Sequence, residues 1–224
     1  MGSSLNANHL VYLLHGAVWT IGLSLIAFIG GGAVGFLVAL SRISPLRALR
    51  LASGAYVQVI QGTPLLVLMF LLYFGLPTIG IKISPLLAAG VSLTIYVAAY
   101  IGEIWRGCIE SVPKQQWEAA ETLALTRTQR MFKVVLPQAI QIATPPTVGY
   151  MVQVIKATSL ASVVGFVELA RSGQIINNSI FEPFIVYLII AVLYFLMCYP
   201  LSRLSRRLER RAGARGQEEF SFSS

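Results

Sequence analysis

SVPKQQWEAAETLALTRTQRMFKVVLP, residues 111–137, lies between two long apolar runs and is the most informative stretch of this chain. Trp117 and Ala120 follow a proline at helical spacing, which predicts a short amphipathic helix. Thr126 and Gln129 have the spacing of a capping box, so we expect a second short helix to begin there. Two short helices joined by a turn would form a compact projection that a groove in another protein can grip.

Long runs without charge surround this stretch. A membrane-spanning helix needs about 20 predominantly apolar residues, and five runs of the chain are long enough. The sequence therefore predicts an all-α membrane protein with five transmembrane helices and a pair of short cytoplasmic helices between the third and the fourth. The expected spans are 14–41, 51–75, 85–108, 137–163 and 183–202; the loop that holds the helix pair is 111–136, the whole membrane domain is 1–215, and 216–224 form a polar tail.

Composition excludes several other classes of protein. Of the 224 residues, 56% are hydrophobic and 12% charged, whereas a soluble domain has about 25% charged residues. The net charge is +8, but the basic residues lie between apolar runs and do not form a basic groove, so we expect no nucleic acid partner. The chain has neither a phosphate-binding glycine loop nor a zinc-binding His pair, and we expect no catalytic residue, metal site or cofactor in it.

The distribution of basic residues predicts the orientation in the membrane. Thirteen of the 17 Lys and Arg residues fall after the first, third and fifth runs, and only Lys82 and Arg171 lie in the opposite loops. By the positive-inside rule, the N-terminus lies outside and the C-terminus in the cytoplasm.

Prolines predict where the spans begin or bend, and small residues predict where one span packs closely. Pro85, Pro137 and Pro183 are expected to open spans three, four and five. Pro64 lies midway through the second run, where it should break the helix, and Pro145 with Pro146 should either open or merely kink span four. In span one, a stripe of small residues indicates close packing within the chain or against another subunit; its members are Ala27, Gly31, Gly35 and Ala39.

The loop 111–136 resembles the EAA loop of importer permeases of the ATP-binding-cassette (ABC) superfamily. That motif reads Glu-Ala-Ala, three residues, Gly, nine residues, Ile, one residue and Leu-Pro. Ala124 replaces the glycine and Val134 the isoleucine, while the spacing fits throughout. The matching positions here are Glu118, Ala119, Ala120, Ala124, Val134, Leu136 and Pro137. The resemblance implies that this segment contacts an ATPase, with Glu118 available for a charge contact.

Further stretches resemble the polar amino acid branch, which serves histidine, glutamine, arginine, cystine and opines. QGTPL at 61–65 is similar to that branch's RGTPL, and LPQAIQIATPPTVGYMVQVIKATSL at 136–160 resembles its segment ending in Leu-Lys-Asp-Thr-Ser-Leu, with Ala157 in place of the aspartate. The resemblance implies a bacterial inner-membrane importer working with a second permease, a periplasmic binding protein and two ATPase subunits, which bind ATP and Mg²⁺. ATP hydrolysis is then expected outside this chain.

Polar residues within the apolar runs are candidates for a substrate path. An ionisable group inside a bilayer costs at least about 2.5–3.5 kcal/mol, so it usually meets a partner or a wet cavity. Lys156 and Glu103 could hold the carboxylate and the ammonium of an amino acid, but Glu103 could equally neutralise Arg106 three residues along. The remaining candidates are Thr63, Thr158, Ser159 and Ser162, which could also bond only their own backbone.

Two other functions fit parts of this pattern. An ion-coupled secondary carrier working as a small dimer would use Glu103 and Lys156 as proton-linked groups, but leaves the loop unexplained. A membrane scaffold would use the loop to recruit a partner. On the outer side, Glu168 and Arg171 are expected to meet a delivery protein or simply to be solvated.

Overall fold

Helices form nearly all of this computed structural model, which describes residues 5–221 and only the backbone from residue 213 onward. Their order is α1 (Ala7–Arg42), α2 (Arg47–Gly62), α3 (Leu65–Phe70), α4 (Pro85–Glu110), α5 (Lys114–Thr122), α6 (Arg127–Gln129), α7 (Leu136–Ala157), α8 (Leu169–Ile180) and α9 (Pro183–Ser221). Tighter or wider helical turns extend three of these helices, over Leu71–Ile79, Arg130–Val135 and Thr158–Val164. The all-α class is confirmed; of the expected tail 216–224, residues 216–221 continue α9 and the last three lie outside the described residues.

Within residues 5–221, four helices are long and apolar enough to cross a membrane, and the bent pair α2–α3 counts as a fifth when it is taken as one broken span. The four are Ala7–Arg42, Pro85–Glu110, Arg127–Val164 and Pro183–Ala212. The bend between Arg47–Gly62 and Leu65–Ile79 is 100°. It lies at Thr63 and Pro64, as predicted, because Pro64 carries no N–H and disfavours helical backbone in the residue before it.

Helix α1 packs against α4 in parallel, through the stripe of small residues. A Cβ on Gly31 would lie 2.5 Å from Val97 Cγ1, and one on Gly35 would lie 2.9 Å from the Ala98 carbonyl oxygen. Glycine therefore allows the two backbones to approach closely, the usual basis of helix association in membranes. The stripe serves packing within the chain. Because α1 and α4 run in the same direction, α2–α3 must return the chain across the membrane between them.

The fourth span begins earlier than the sequence predicted. Pro137 lies in the first turn of α7, as predicted, but a continuous helical path already begins at Arg127 and runs to Val164. The capping box at its start is present, with Thr126 and Gln129 each bonding the other's backbone N–H. A wider, π-helical turn at Arg130–Val135 precedes Pro137, and its shifted hydrogen bonds accommodate the missing N–H. The second short helix of the loop is thus continuous with the span.

Helix α7 also contains Pro145 and Pro146 without breaking. Pro145 and Pro146 lie inside it, and the Ser205 hydroxyl of α9 donates to the Pro145 carbonyl at 3.0 Å. Of the two outcomes expected for these prolines, opening of the span is therefore wrong. Helix α9 runs antiparallel to α7.

Candidate functional site

A cavity of about 380 Å³ lies between α3, α4, α7 and the turn at Thr158–Val164. Most of its wall is aliphatic, including Leu65 and Leu160. Its polar groups come from Tyr96 and Tyr100 of α4 and from Tyr150 and Gln153 of α7, while Ala157 contributes only a methyl group. An apolar chamber with a few convergent polar groups is typical of a small-molecule site.

The three tyrosines form a connected group. The Tyr96 hydroxyl donates to the Tyr100 hydroxyl at 3.1 Å, and the ring of Tyr100 stacks on that of Tyr150, with centroids 5.5 Å apart and planes 15° from parallel. No carboxylate, ammonium or guanidinium lines this cavity in the part of the chain that the structure describes. The chamber can therefore hydrogen-bond a small polar molecule, and the ring faces can attract an ammonium group.

The hydroxyl candidates of the substrate path lie around this cavity but do not line it. Three of them bond backbone carbonyls of their own helix, as in the alternative that the sequence left open, and Thr158 also hydrogen-bonds the Tyr194 side chain of α9. The bonds run from Thr63 to Val59 at 2.7 Å, from Thr158 to Ile155 at 2.7 Å and from Ser159 to Lys156 at 2.8 Å. Ser162 is half-buried beside them. A role of these residues in transport stays a prediction.

Glu103 and Lys156 do not form an ion pair with each other. Glu103 lies near the end of α4 and pairs with Arg106 and with Arg42 of α1, the latter at 3.4 Å. Arg106 also pairs with Glu110. The carboxylate of Glu103 is thus already neutralised by two guanidinium groups. Lys156 is exposed and has no ion pair among the described residues.

The loop between the third and fourth spans stands beyond the helix ends. Ala120 of α5 is buried, whereas Glu118 and Ala119 are exposed. Glu121 of α5 pairs with Arg130 at 2.8 Å, which ties the two helices of the loop together. Leu136 is buried and Pro137 exposed. The predicted pair of short helices is therefore present, and its outer face is exposed.

Ala124 connects these two helices in a left-handed conformation. Its φ is 54°. The Ala124 N–H donates to the Glu121 carbonyl at 2.9 Å and the Leu125 N–H to that of Ala120 at 3.3 Å, the hydrogen bonds of a Schellman turn. This is the position at which the EAA motif has glycine, and the turn explains that preference, because only glycine takes a positive φ without strain.

The sequence analysis missed a buried carboxylate at the end of the spans opposite to α5. Glu168 is fully buried and not solvated. It caps α8 by accepting from the N–H groups of Ala170 and Arg171, and it accepts from the Tyr194 hydroxyl at 2.9 Å. Burial raises its pKa above the ordinary value, against the opposing effect of these hydrogen bonds. An acidic residue directly before a helix was the available signal.

An α-helical chain with four candidate spans, a fifth that is bent, an internal chamber and a helical loop between two spans has the architecture of a membrane transport subunit. The sequence profile of the family described as "Binding-protein-dependent transport system inner membrane component" matches residues 31–213. The chain belongs to this family. It is a multi-pass membrane permease, and the family works with a separate ATPase, a second permease and a binding protein.

Named relatives and solved structures agree with this assignment. The "Probable amino-acid ABC transporter permease protein YckA" of Bacillus subtilis (strain 168) is 37% identical over 200 residues, 89% of this chain and 88% of that protein. The "L-cystine transport system permease protein TcyB" of the same strain is 37% identical over 197 residues, 88% of this chain and 84% of its own. A crystal structure of an amino acid ABC transporter with histidines superposes with a TM-score of 0.86 at 33% identity, covering 93% of this chain and 100% of that one. An inward-facing methionine transporter, MetNI, shares the fold at 21% identity and a TM-score of 0.71, over 91% of this chain and 99% of its own.

Proposed function

We propose that this chain is the transmembrane subunit of an ATP-driven importer that carries a polar amino acid or a close derivative by alternating access. The substrates in the names of its relatives, amino acids in general and cystine in particular, support this class. The observation that carries the proposal is the exposed outer face of α5, in a loop whose two helices are linked by the Glu121–Arg130 ion pair.

The proposed partners are those of the family, and the exposed face of α5 supports the ATPase contact. Two ATPase subunits, which bind ATP and Mg²⁺, grip the projections of this chain and of a second permease, identical or similar. A periplasmic binding protein delivers the substrate at the opposite side. The positive-inside pattern supports a bacterial inner-membrane location with the N-terminus in the periplasm and the C-terminus in the cytoplasm.

The mechanism couples the projection to the chamber. The helix that begins at Arg127 continues without a break into α7, which contributes Tyr150 and Gln153 to the cavity wall. Closure of the ATPases would move α5 and α6, and the same helix would transmit this displacement to the chamber. Such rigid-body movement is a common route for alternating access. The chamber between α4 and α7 would open outward to receive the substrate and relax inward to release it.

The uncharged chamber wall also supports recognition of a zwitterion. Phenol hydroxyls and the Gln153 amide can bond the substrate carboxylate, and the tyrosine rings can hold its ammonium. A substrate with a charged side chain would be buried without a counter-charge there, which is costly. The proposed site thus favours a polar side chain without net charge.

Co-purification from the native cell in mild detergent tests the proposal. We expect an ATPase to accompany the wild-type chain and to be lost from Glu118→Arg, because the reversal places a cation on the gripping face of α5. Glu182→Arg is the matched control, an equal charge reversal on the other side of the membrane, and it should retain the ATPase.

Two outcomes would contradict this function. A homodimer without an ATPase, under conditions that preserve known complexes, together with uptake that a protonophore abolishes at constant ATP, would establish an ion-coupled carrier. Loss of the ATPase from both charge reversals alike would show that the α5 face is not the specific contact.

A further inference from the structure

A second, larger cavity lies at the end of the spans where α1 and α4 terminate. It is an open cleft of about 590 Å³, lined by the segment that joins α1 to α2, the end of α4, and helices α5 and α6. It is separate from the tyrosine chamber and shares no residue with it. The transport cycle proposed above assigns no ligand to it, although α5 and α6 of the projecting loop contribute to its walls.

The charges of this cavity do not balance. Arg42, Arg50 and Arg127 line it, against Glu110 alone. Glu110 is already paired with Arg106, and Arg42 with Glu103. Arg50 donates only to the Ser44 carbonyl, at 3.2 Å. Within the part of the chain that the structure describes, Arg50 and Arg127 thus have no carboxylate partner.

The remaining wall is apolar and aromatic. Leu40, Ile109, Met131 and Phe132 contribute aliphatic and aromatic surface, and Phe132 is 52% exposed. Trp117 also lines the cavity, and tryptophan is enriched at the boundary between membrane and water. Two unpaired guanidinium groups beside such a surface, at the end of the membrane spans, match a molecule with an anionic head and a hydrocarbon body.

We propose that this cavity binds the headgroup of an anionic phospholipid from the leaflet on the side of α5, with Arg50 and Arg127 on the phosphodiester. Arginine suits phosphate because its planar fork donates two parallel hydrogen bonds. Basic pockets between spans at the cytoplasmic surface bind such headgroups in other membrane proteins. The bound lipid would lie between the α1–α2 link and the helices of the projecting loop, so it would brace that loop against the membrane.

Native mass spectrometry of the delipidated full-length chain in mild detergent tests this proposal. The probes are palmitoyl-oleoyl phosphatidylglycerol, the matching phosphatidylcholine and inorganic phosphate. We expect phosphatidylglycerol to be retained in preference to phosphatidylcholine. Arg50→Gln and Arg127→Gln should each reduce that retention about fivefold, the contribution of one basic side chain near an anionic lipid. Arg207→Gln, on the exposed basic part of α9, should leave it unchanged.

A second variant distinguishes loss of lipid binding from loss of folding. Thr128→Glu places a negative charge at the exposed wall of the cavity with all arginines intact. It should lower phosphatidylglycerol retention while the gel-filtration profile stays that of the wild type. Unchanged retention in a folded Thr128→Glu variant would overturn the proposal.

Three further results would also overturn it. Equal retention of both lipids would exclude an anion-specific site, and an equal loss from Arg207→Gln would show attraction to surface charge alone. Displacement of the lipid by millimolar inorganic phosphate would identify a site for free anions. Loss of bound lipid whenever the ATPase is present would make the cavity part of the ATPase contact.

Discussion

Ala124 replaces the glycine of the EAA motif, and its backbone has a positive φ, 54°. A left-handed conformation costs an L-residue roughly 1–2 kcal/mol, and glycine avoids this while losing about 0.5–1 kcal/mol of chain entropy. Ala124→Gly should therefore stabilise the turn between α5 and α6 by up to about 1 kcal/mol. Hydrogen exchange of residues 114–136, followed by mass spectrometry, should show slower exchange.

Ala119→Gly is the matched control for this prediction. It makes the same substitution in exposed, right-handed helix and should speed exchange of the same segment, since glycine costs about 0.5–1 kcal/mol there. If both variants change exchange in the same direction, the positive φ of Ala124 is not a source of strain.

Glu168 is the residue for which the structure predicts a pH dependence. Burial raises its pKa in the folded chain, so folding favours the protonated form. The resulting stability is fully present below the pKa of the unfolded chain and is lost as pH rises through the higher folded value. The thermal unfolding temperature in detergent should fall over this window, and Glu168→Gln should flatten the slope. The same slope in both proteins would assign the pH dependence to other groups.

Ala157 is the residue at which a larger side chain would fill the tyrosine chamber. Ala157→Leu adds three carbon atoms to a wall that now presents a methyl group, so substrate uptake in cells should fall severalfold while ATPase association persists. Ala48→Leu, on the exposed face of α2, should leave uptake unchanged. Normal uptake by Ala157→Leu would place the substrate elsewhere.

Two adjacent glycines of α1 allow the effect of helix packing on stability to be distinguished from the effect of helix propensity. A Cβ on Gly31 would overlap Val97, whereas a Cβ on Gly32 would have nothing within 4 Å. Gly31→Ala should destabilise the α1–α4 pair by about 1–3 kcal/mol through overpacking. Gly32→Ala should stabilise α1 by about 0.5–1 kcal/mol. Thermal unfolding of both in one detergent compares them, and equal shifts would mean that α1 and α4 are not in close contact at Gly31.

The helices were more predictable from sequence than the contacts between them. Runs without charge predict spans because a bilayer imposes one length on every crossing. Pro137 marks the first turn of α7 as predicted, but the π-helical turn that joins this helix to Arg127 is not visible in the sequence. Arg42 lies 61 residues before its partner Glu103, so spacing could suggest only Arg106. Tyr96 and Tyr100, four residues apart on α4, were a visible sign of the chamber, but Tyr150 becomes their neighbour only in the fold.

The distribution of basic residues along the whole chain predicts its orientation in the membrane, which the helices and cavities alone do not determine. Thirteen of 17 basic residues lie on the side of α5, and the cost of carrying them across the membrane should hold this side in the cytoplasm. In a background of Cys108→Ser and Cys198→Ala, Gln115→Cys on α5 and Asn178→Cys on α8 place one exposed thiol on each side. A membrane-impermeant maleimide should label only Asn178→Cys in intact spheroplasts, and both variants once the membrane is opened. Labelling of Gln115→Cys alone in intact spheroplasts would invert the topology and move the proposed lipid site to the outer leaflet.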